Sequence, residues 1–456
     1  MKYAIVLAAG ESTRMKTNKN KVMHQILHKP MIGHLVDNLK KVGFDETVVV
    51  TGYKNEAVEN YLGDLVDYAF QKERTGTADA VSQVSQLRDK QGSTLVVLGD
   101  CALIQPETMR MMFEKHEGYD LTLVSSVVKE PSQAHRIIRD NQGALDRVAS
   151  AASLSEDQLS INEIALGAYV VNNELLFKYI QQIIDDSETN NEELNISKMV
   201  QVFKENNHAL QTIRVKDYHE FTGANDRHQL LQSEKWLQDR INAKHMDNGV
   251  TLLSPKDIYI GPDVTIEQVV IIYPNNHIYG KSSIASDTTL LPNNWLNRAQ
   301  IGSNTSLDSS KIVDSSVGNH STVGPQAHLR ADTHVKNHCR IGNFVEFKTV
   351  TLEDGTNCAH LVYLGNTKVG KDVNIGCGVV TANYDGVNKN MTTIGDNSFI
   401  GSNANLIAPI NIGKNVLVAA GSTITEDVPD GDMAIARNRT EIKVGYGNKF
   451  INKEVK

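Results

Sequence analysis

Residues 394 to 424 decide the fold, and they read IGDNSFIGSNANLIAPINIGKNVLVAAGSTI. Every sixth position of this stretch is aliphatic: Ile394, Ile400, Leu406, Ile412, Val418 and Ile424. A period of six fits neither an amphipathic helix nor an alternating strand. It is typical of a β-solenoid, in which each sixth side chain points inward and stacks on its equivalent in the next coil. We therefore predict a solenoid.

The same period occurs upstream of this stretch. It runs through Val317, Val323, Leu329, Val335, Ile341 and Phe347, and again through Val369 and Ile375. The hexads begin near Gly249, with Ile260, Gly261 and Val264, and their period is irregular between Glu267 and Gln300. The residues Asn383 to Asn388 interrupt the period with turn-forming side chains, which predicts a loop that projects from a coil and carries function.

Positions 1–225 have a different pattern. Apolar runs predict buried strands at Tyr3–Ala8, Glu46–Thr51 and Thr94–Leu98, and a helix is expected over Met31–Val42. Strands that alternate with helices favour an open α/β sheet. The stretch from Asp226 to His245 has no Gly or Pro and predicts a single linking helix. We therefore expect an α/β domain at 1–225, a linker helix at 226–248 and the solenoid at 249–456.

Two features at strand ends carry chemistry. A loop with Gly10 follows the first strand, and the cations Arg14, Lys19 and Lys21 come after it. Backbone N–H groups and cations in such a loop suit a phosphate, although a solvated surface loop is the alternative. Asp100 ends the third predicted strand, where a carboxylate is well placed to hold a metal. The alternative for Asp100 is a helix cap or turn residue.

Length and charge limit the function classes. The 456 residues predict two or three domains, and a net charge of −8 does not favour nucleic-acid binding. The four cysteines are far apart and form no CxxC, so neither a disulfide framework nor a zinc site is indicated. We expect a cytoplasmic protein, because a reducing compartment fits this cysteine usage and no signal peptide or membrane span is predicted.

A set of motifs in a fixed order extends over essentially the whole chain. In the first half these are Leu7–Gly10, Lys21–His24, Gly76-Thr77, Gly99-Asp100 and Gly223–Arg227; in the solenoid they are Gly342–Lys348, His360–Tyr363, Asn374–Gly378 and Ala382–Gly386. In this order they resemble the bacterial bifunctional N-acetylglucosamine-1-phosphate uridylyltransferase/glucosamine-1-phosphate acetyltransferase family. The resemblance implies an enzyme that makes UDP-N-acetylglucosamine, a precursor of the cell wall.

For the solenoid, the resemblance implies a left-handed parallel β-helix that forms a homotrimer. Acetyl-CoA would bind between subunits and acetylate the amine of glucosamine-1-phosphate. The resemblance makes His360 the general base and Glu346 a residue that orients or polarises it. It assigns the sugar phosphate to Arg330, Lys348, Tyr363 and Asn374, and the coenzyme to Asn383, Tyr384, Ser402, Ala420 and Arg437. Histidine suits the role of base because it titrates near neutral pH.

For the region 1–225, the resemblance implies a Rossmann-like nucleotidyltransferase (pyrophosphorylase) domain. There N-acetylglucosamine-1-phosphate would attack the α-phosphorus of UTP and release pyrophosphate. The implied substrate-binding residues are Leu7, Ala8, Ala9, Gly10, Arg14, Lys21, Gln71, Gly76, Thr77 and Asn225. Asp100 and Asn225 would be the ligands of Mg²⁺, an ion that prefers oxygen ligands.

This domain departs from the family pattern at several positions near the sugar. Ser12 replaces a glycine, and Ala102 replaces a proline. The other divergent positions are Ala134 and His135 in the stretch to Ile137, Ser150–Ser153 in place of an acidic stretch, Ala165, and Glu193–Ile196. Because these changes remove polar sugar contacts and two glycines, we expect a uridylyltransferase that is slow, altered in sugar preference or vestigial.

Three alternatives to a fully bifunctional enzyme remain open. One is an acetyltransferase whose α/β domain only supports the trimer or binds nucleotide. Another is a non-catalytic trimeric binding or assembly protein, which the residues around His360 disfavour. The last is a different sugar-1-phosphate nucleotidyltransferase with a solenoid tail, which would not need an acetyl-transfer site.

Overall fold

The computed structural model describes residues 1–11, 13–73, 75–189 and 193–451, so the divergent Ser12 lies outside the described residues. The chain divides into two compact units, Met1–Leu237 and Gln238–Lys456. We call the first unit the head and the second unit the solenoid, and each is described by itself.

The head alternates strands and helices. Its strands are β1 (Lys2–Leu7), β2 (Gln25–Ile26), β3 (Lys29–Pro30), β4 (Glu46–Thr51), β5 (Asp67–Phe70), β6 (Ser93–Leu98), β7 (Leu121–Val127), β8 (Arg136–Arg139), β9 (Leu145–Ala149), β10 (Glu163–Asn172) and β11 (Leu210–Arg214). Its helices are α1 (Met31–Val42), α2 (Asn55–Leu62), α3 (Thr77–Ser82), α4 (Pro106–His116), α5 (Asn173–Thr189) and α6 (Met199–Glu205), and α7 (Arg227–Asp247) continues into the solenoid. Short 3-10 turns lie at Thr13–Met15, Lys21–Met23, Gly63–Leu65, Ala151–Ser153, Asp157–Ser160, Ile196–Lys198 and Tyr218–Phe221.

The main sheet of the head has the order β11-β7-β10-β6-β1-β4-β5. Strand β1 runs parallel to β4 and β6, whereas β10 runs antiparallel to β6 and β7. Two apolar clusters cover the two faces of the sheet, which explains why the central strands read as continuous apolar runs. Leu7 pairs with Leu98, so the Gly10 loop and Asp100 follow neighbouring strand ends. Such an edge is where open α/β sheets bind ligands.

The predicted helix over Met31–Val42 is confirmed with the same bounds. It ends because Gly43 adopts a left-handed conformation with φ of 81° and its N–H bonds back to the Leu39 and Lys40 carbonyls. The three predicted strands are also confirmed, with ends shifted by at most one position.

The solenoid is one 24-stranded parallel sheet wound into coils. Its strands are β12 (Thr251–Leu252), β13 (Ile258–Ile260), β14 (Thr265–Ile266), β15 (Ile271–Ile272), β16 (Asn276–Tyr279), β17 (Ser283–Ile284), β18 (Thr289–Leu290), β19 (Trp295–Ile301), β20 (Ser306–Leu307), β21 (Lys311–Val317), β22 (Thr322–Val323), β23 (His328–Arg330), β24 (Thr333–Val335), β25 (Arg340–Leu352), β26 (Asn357–Val369), β27 (Asn374–Ile375), β28 (Val380–Ala382), β29 (Thr392–Ile394), β30 (Phe399–Ile400), β31 (Asn405–Ile407), β32 (Ile410–Ile412), β33 (Leu417–Val418), β34 (Thr423–Ile424) and β35 (Met433–Ala434). A 3-10 turn lies at Pro255–Asp257, and a short helix α8 lies at Asn448–Ile451.

The hexad side chains form the core of the solenoid. All six hexad positions of the 394–424 stretch are buried in one apolar cluster, together with those from Val317 to Phe347. The prediction of an irregular period between Glu267 and Gln300 is wrong. Ile272, Ile278, Ile284, Leu290 and Leu296 continue the period of six there, and all of them are buried. They follow in sixes from Ile260, whereas Val264 belongs to another hexad phase, so a count from Val264 misses them.

The coils differ in length. Tyr259 pairs with His277 on the next coil, whereas Trp295 pairs with Lys311, so the coil that begins at Trp295 is the shorter of the two. The longest of these intervals spans the predicted loop, where Thr367 pairs with Thr392. The added residues project from the coil as predicted, and an antiparallel bridge between Tyr384 and Lys389 closes them into a hairpin.

Helix α7 ends against the first coil of the solenoid. The side-chain amide of Asn242 donates to the carbonyls of Pro255 and Ile258, and the amide of Gln238 also donates to Ile258. Ile241 packs against the apolar cluster of the coils. These contacts cover the open end of the solenoid core, where backbone groups would otherwise lack partners.

Candidate functional site

A cavity of about 240 Å³ opens at the carboxyl edge of the head sheet. It brings together nine of the predicted substrate and metal residues, which are Leu7, Ala8, Ala9, Gly10, Lys21, Gln71, Gly76, Thr77 and Asp100. We call it the first cavity. The residues come from the ends of β1, β5 and β6 and the start of α3, so the sheet topology assembles them from distant parts of the chain.

Gln71 and Gly76 form one rigid wall of the first cavity. The buried Gln71 amide donates to the Gly76 carbonyl at 3.0 Å and to the Asp79 carboxylate at 2.7 Å. A Cβ on Gly76 would lie 2.3 Å from the Leu194 carbonyl oxygen, so only glycine allows this approach. The Ile196 N–H donates to the Thr77 hydroxyl at 2.9 Å. The wall is therefore ordered before any ligand binds.

Lys21 joins the two predicted metal ligands. Its ammonium lies 2.5 Å from Asp100 Oδ2 and 2.7 Å from Asn225 Oδ1. Arg14 also donates to Asn225 Oδ1, at 3.0 Å. Asp100 is only 6% exposed, and a Cβ on Gly223 would lie 2.2 Å from its Oδ2, so the glycine makes room for the carboxylate.

This pair of oxygens fits a magnesium ion. Asp100 and Asn225 both direct an oxygen at a single cationic group, which shows that the two side chains converge on one point. Among the described residues, no group of three or more His, Cys, Asp or Glu side chains could hold a metal. Two protein oxygens suit Mg²⁺, which keeps several waters and takes its other ligands from substrate phosphates.

A second cavity of about 390 Å³ adjoins the first and shares Leu7, Thr77 and Leu98 with it. Its walls include Val96, Val148, Ile164, Leu166 and Phe221. None of its described lining residues is Asp, Glu, Lys or Arg. Its other lining residues are uncharged polar side chains, including His135, Asn195 and Ser197.

The structure places the divergent positions as follows. Ala134, His135, Ala165, Asn195 and Ile196 line the second cavity, and Glu193 lines the first. Ser150 lines neither cavity, and its hydroxyl bonds to Ser153 at 3.1 Å. Ala102 is buried. Five of the divergent positions therefore line the second cavity.

Three arginines make hydrogen bonds near the second cavity, one within the His135 loop and two to Glu163. The Arg136 guanidinium donates to the carbonyls of Ile161, Ser132, Pro131 and Ala134, which fixes the loop that carries His135. Arg139 and Arg214 both bond to the buried Glu163.

Burial would raise the pKa of the Glu163 carboxyl, but hydrogen bonds from Arg139, Arg214 and Ser125 outweigh that effect and lower the pKa to about 2. Glu163 therefore serves the framework of the head as a charged group.

In the solenoid, register brings the predicted phosphate ligands together. Arg330 pairs with Lys348 on the next coil, and the Arg330 guanidinium bonds to Glu346 Oε1. A lysine that the sequence analysis missed, Lys389 of the projecting loop, contacts Lys348. Together with Arg330, it lowers the pKa of the Lys348 ammonium, and the contact with Lys389 is the largest cause. Three cations with a single carboxylate make a site that favours a phosphate dianion.

His360 lies on β26 and is exposed. Its Nδ1 lies 2.9 Å from the Oδ1 of Asn343, which is the register partner of His360 on the preceding coil. Because an amide oxygen only accepts hydrogen bonds, Nδ1 carries the proton and Nε2 keeps a free lone pair. Asn343 lies in the quoted motif Gly342–Lys348, but the sequence analysis assigned it no role.

Tyr363 and Asn383 both approach Gly365. A Cβ on Gly365 would lie 2.8 Å from both the Tyr363 hydroxyl and the Asn383 amide nitrogen. Gly365 is also the register partner of Lys348. Tyr363 and Asn383 are thus brought to the predicted phosphate ligands, and the buried Asn383 is held by a bond to Asn366 at 2.7 Å.

The projecting loop is organised around Asp385. Its carboxylate accepts hydrogen bonds from the Val387 and Asn388 N–H groups and the Asn390 amide. These bonds, led by that of Asn388, lower the pKa of Asp385. The exposed Tyr384 donates to the Gly386 carbonyl at 2.6 Å. This network positions Lys389 at the end of the hairpin.

The remaining predicted coenzyme residues lie on later coils. Ser402 is exposed, and its carbonyl accepts from Gly421, the neighbour of Ala420 on the next coil. Ala420 and Arg437 are also exposed. Asn374 begins β27 and pairs with Asn357 and Phe399. The structure of one chain shows no direct contact between these residues and the cations around Lys348 within the described part.

Comparisons with known proteins agree with this arrangement. A sequence model of the MobA-like NTP transferase domain matches residues 4–160, and one of the hexapeptide repeat of succinyl-transferase matches residues 391–426. A relative from Geobacillus sp. (strain WCH70), named bifunctional protein GlmU, is 40% identical over 452 residues and covers 98% of both chains. The chain belongs to the bifunctional GlmU family. A GlmU from Listeria monocytogenes serotype 4b (strain CLIP80459) is 38% identical over 454 residues, or 99% of both chains.

Membership in the GlmU family confirms the predicted family and the predicted fold of a nucleotidyltransferase domain followed by a hexapeptide β-helix. Among solved structures, HddC from Yersinia pseudotuberculosis aligns with 52% of this chain and 100% of its own, with a TM-score of 0.41 and 16% identity. No helix in the described ranges combines the length and the apolar character needed to cross a membrane.

Proposed function

We propose that this chain is a bifunctional enzyme of UDP-N-acetylglucosamine synthesis. The solenoid transfers the acetyl group of acetyl-CoA to glucosamine-1-phosphate, and the head transfers the uridylyl group of UTP to N-acetylglucosamine-1-phosphate. The observation that carries the proposal is the coincidence of two built sites on a chain of this family. His360 with an orienting Asn343 lies on the solenoid, and an Asp100–Asn225 oxygen pair lies beside the first cavity in the head.

In the acetyl transfer, the three cations bind the sugar phosphate of the substrate together with Tyr363 and Asn374. Nε2 of His360 removes a proton from the substrate amine, and Asn343 keeps that nitrogen free by accepting from Nδ1. The amine nitrogen then forms a bond to the thioester carbonyl carbon, and the carbon–sulfur bond breaks as the coenzyme thiolate leaves. General-base catalysis of this kind contributes about 10²- to 10⁴-fold.

In the uridylyl transfer, the wall of Gln71, Gly76 and Thr77 receives the uracil, and Arg14 and Lys21 receive phosphates. Asp100 and Asn225 would hold Mg²⁺, which neutralises developing phosphate charge. The ammonium of Lys21 lies between these two oxygens and can turn to the triphosphate as the ion binds. The acceptor phosphate needs no base, because a phosphate monoester is largely ionised at neutral pH.

The two halves are unequal in this proposal. Every solenoid residue carried over from the family is present, and several of them lie in direct contact. In the head, divergent residues such as His135 and Ala165 line the second cavity, and Ala165 stands where the family pattern has a polar side chain. Each lost hydrogen bond costs about 0.5–1.5 kcal/mol. Two or three such losses make uridylyl transfer to N-acetylglucosamine-1-phosphate roughly 10- to 1000-fold less efficient.

The assembly is proposed to be a homotrimer with cyclic symmetry, in which neighbouring subunits share the coenzyme site. Ser402, Ala420 and Arg437 are exposed on one chain, which leaves them free to contact a coenzyme held between copies. Light scattering should give about three times the chain mass of 50.3 kDa. A mass of one chain at micromolar concentration, with acetyltransferase activity intact, would contradict the trimer. A cytoplasmic location stays a prediction.

One assay tests the proposal. Purified protein is given glucosamine-1-phosphate and acetyl-CoA, then UTP and Mg²⁺, and each product is quantified separately. We expect N-acetylglucosamine-1-phosphate to form quickly and the UDP-sugar to form slowly. Acetyl transfer without any nucleotidyl transfer would favour the alternative of an acetyltransferase with a vestigial head. The absence of both products would favour a binding protein.

A further inference from the structure

A chain of hydrogen bonds on the solenoid joins Ser316, His334 and Asp332, none of which belongs to the predicted acetyl-transfer site. The Ser316 hydroxyl lies 2.8 Å from His334 Nδ1, and His334 Nε2 lies 3.0 Å from Asp332 Oδ1. Because a carboxylate only accepts hydrogen bonds, Nε2 of the neutral ring carries the proton, and Nδ1 accepts from the Ser316 hydroxyl. A hydroxyl, a histidine and a carboxylate in this order form the arrangement that activates a serine nucleophile.

The stacked coils hold these three side chains in place. Ser316 on β21 is the register partner of His334 on β24, one coil later. Neighbouring strands of a sheet lie about 4.8 Å apart, so the side chains of register partners lie side by side. Asp332 lies at the turn before β24, where its N–H bonds to the Asp314 carbonyl. The backbone of two adjacent coils therefore fixes the positions from which the three side chains extend.

Gln300 adds a hydrogen-bond donor to this group. It lies on β19, it is exposed, and it is the register partner of Ser316 on the preceding coil. Its carboxamide can donate to the oxygen of a carbonyl that Ser316 attacks, where negative charge develops. Gln300, Ser316 and His334 thus supply an oxyanion donor, a nucleophile and a base in one column of the solenoid.

Access to solvent distinguishes this group from a similar one in the head. There His208 joins the Tyr179 hydroxyl, at 3.1 Å, to the Asp120 carboxylate, at 3.2 Å. Tyr179 is buried, so no substrate carbonyl can approach its hydroxyl. Ser316 is only half-buried, and 44% of the His334 side chain is exposed. The group on the solenoid can therefore meet a substrate, whereas the one in the head serves the framework.

We infer that Ser316 is the nucleophile of a further active centre, which hydrolyses short-chain carboxylic esters. The Ser316 oxygen forms a bond to the ester carbonyl carbon as its proton passes to His334 Nδ1. The bond to the alcohol oxygen breaks, and the alcohol leaves with that proton. Water then gives a proton to Nδ1 and adds to the acyl-serine carbonyl. The carboxylic acid leaves, and Ser316 recovers its proton from His334.

The exposure of Asp332 limits the substrates. Its side chain is 82% exposed, so water and salt screen the charge that supports the protonated His334. A weakly supported base requires a leaving group that departs easily. The centre therefore fits activated esters better than amides, and p-nitrophenyl acetate is a suitable probe.

Ester hydrolysis by the full-length protein tests the nucleophile. Ser316→Ala should lower kcat for p-nitrophenyl acetate under multiple turnover about 100-fold, the lower end of what base-assisted attack contributes. Acetyl transfer to glucosamine-1-phosphate should not change. The matched control is Ser306→Ala, a half-buried serine on β20 whose register partners are Thr289 and Thr322. This control should hydrolyse the ester at the rate of the wild type.

Covalent labelling gives a second measurement that does not depend on how a variant folds. A fluorophosphonate reacts with an activated serine as the serine oxygen bonds to phosphorus and fluoride leaves. Mass spectrometry of the wild-type protein should locate the label on Ser316. Asp332→Asn should lower kcat for the ester and leave KM and the melting temperature unchanged, because Asp332 only orients the base.

Three results would overturn the inference. The first is a fluorophosphonate label on a residue other than Ser316, or no label at all. The second is ester hydrolysis that Ser316→Ala leaves unchanged. The third is inhibition of ester hydrolysis by excess glucosamine-1-phosphate, which would assign the hydrolysis to the proposed acetyl-transfer site. None of these results would affect the proposed acetyl and uridylyl transfers.

Discussion

The solenoid site and the head site place their functional residues by different means. In the solenoid, Arg330, Lys348 and Gly365 are successive register partners on stacked coils, so the coil geometry positions their side chains. In the head, the wall of the first cavity follows strand ends, and the second cavity is lined by residues of β6, β9 and β10 together with loops and the 3-10 turn Tyr218–Phe221. A loop can change its side chains without changing the sheet beneath it.

Five of the divergent positions line the second cavity, and one of them, Ala165, lies on strand β10. Replacing a residue in the solenoid column alters contacts with two neighbouring coils at once. His135 and Ala165, by contrast, change the wall of a chamber, and the Ala165 N–H still bonds to the His135 carbonyl. The head therefore keeps its fold and its first cavity while the lining of the second cavity changes. The predictions below test whether the two sites are independent in this way.

The largest effect is expected at His360, the proposed general base of the solenoid site. His360→Ala should lower acetyl transfer about 10²- to 10⁴-fold and leave uridylyl transfer unchanged, because the proton of the substrate amine then has no acceptor. Steady-state kinetics of both reactions provide the measurement. The control is His320→Ala, an exposed histidine of the same solenoid that stacks on His338. Near wild-type acetylation by His360→Ala would contradict the assignment of His360 as the general base.

The corresponding change in the head is Asp100→Ala. It should lower Mg²⁺-dependent nucleotidyl transfer about 10²- to 10³-fold, as expected when a group that stabilises transition-state charge is lost. Acetyl transfer should not change. Asp64→Ala, at an exposed turn of the head, is the control. If acetyl transfer fell in parallel with intact folding, the assignment of two separate sites would be wrong.

Acid should destabilise the head through Glu163. The folded-state pKa is lowered from 4.5 to about 2, so this carboxylate stabilises the head above pH 4.5, and that contribution is lost as the pH falls toward 2. The contribution is about 3 kcal/mol at neutral pH. Hydrogen exchange of head peptides across this range measures it. The difference in head stability between wild type and Glu163→Gln should decrease as the pH falls. A difference that stays constant with pH would contradict the lowered pKa of Glu163.

The smallest effect concerns the phosphate of the acetyl acceptor. Lys389→Met should raise KM for glucosamine-1-phosphate about 10- to 100-fold with a smaller change in kcat, because one charge-assisted hydrogen bond contributes about 1.5–3 kcal/mol. Lys256→Met, at an exposed turn of the first coil, is the matched control. An unchanged KM would mean that Lys389 repels Lys348 without serving the substrate.

Much of the fold could be predicted because it depends on local periods. The hexads identify the solenoid core, and apolar runs identify strands such as Glu46–Thr51. The coil length, however, varies between neighbouring turns, as the pairs Tyr259–His277 and Trp295–Lys311 show. A spacing in the sequence therefore does not tell which residues lie side by side on adjacent coils. For that reason the contacts of Asn343 with His360 and of Lys389 with Lys348 had to come from the structure.

The head site shows the same limit in another form. The motifs of the family resemblance include nine of the residues that line the first cavity. The place of Tyr169 in the lining of the second cavity could not be predicted. The register of β10 on β7 shifts between Ala165 and Tyr169, and strand alternation fails across such a shift. The sequence also grouped Ser150 with the cavity residues, whereas the structure leaves it outside the lining.

The inequality of the two halves is tested most directly by measuring kcat/KM for both reactions on a single preparation. The account predicts that acetyl transfer to glucosamine-1-phosphate is efficient and that uridylyl transfer to N-acetylglucosamine-1-phosphate is roughly 10- to 1000-fold weaker. The difference in kcat/KM between the two reactions should decrease in a variant that combines Ser12→Gly, His135→Gly, Ser150→Glu and Ala165→Asn. Equal efficiency of the two reactions in the unmodified protein would contradict the account.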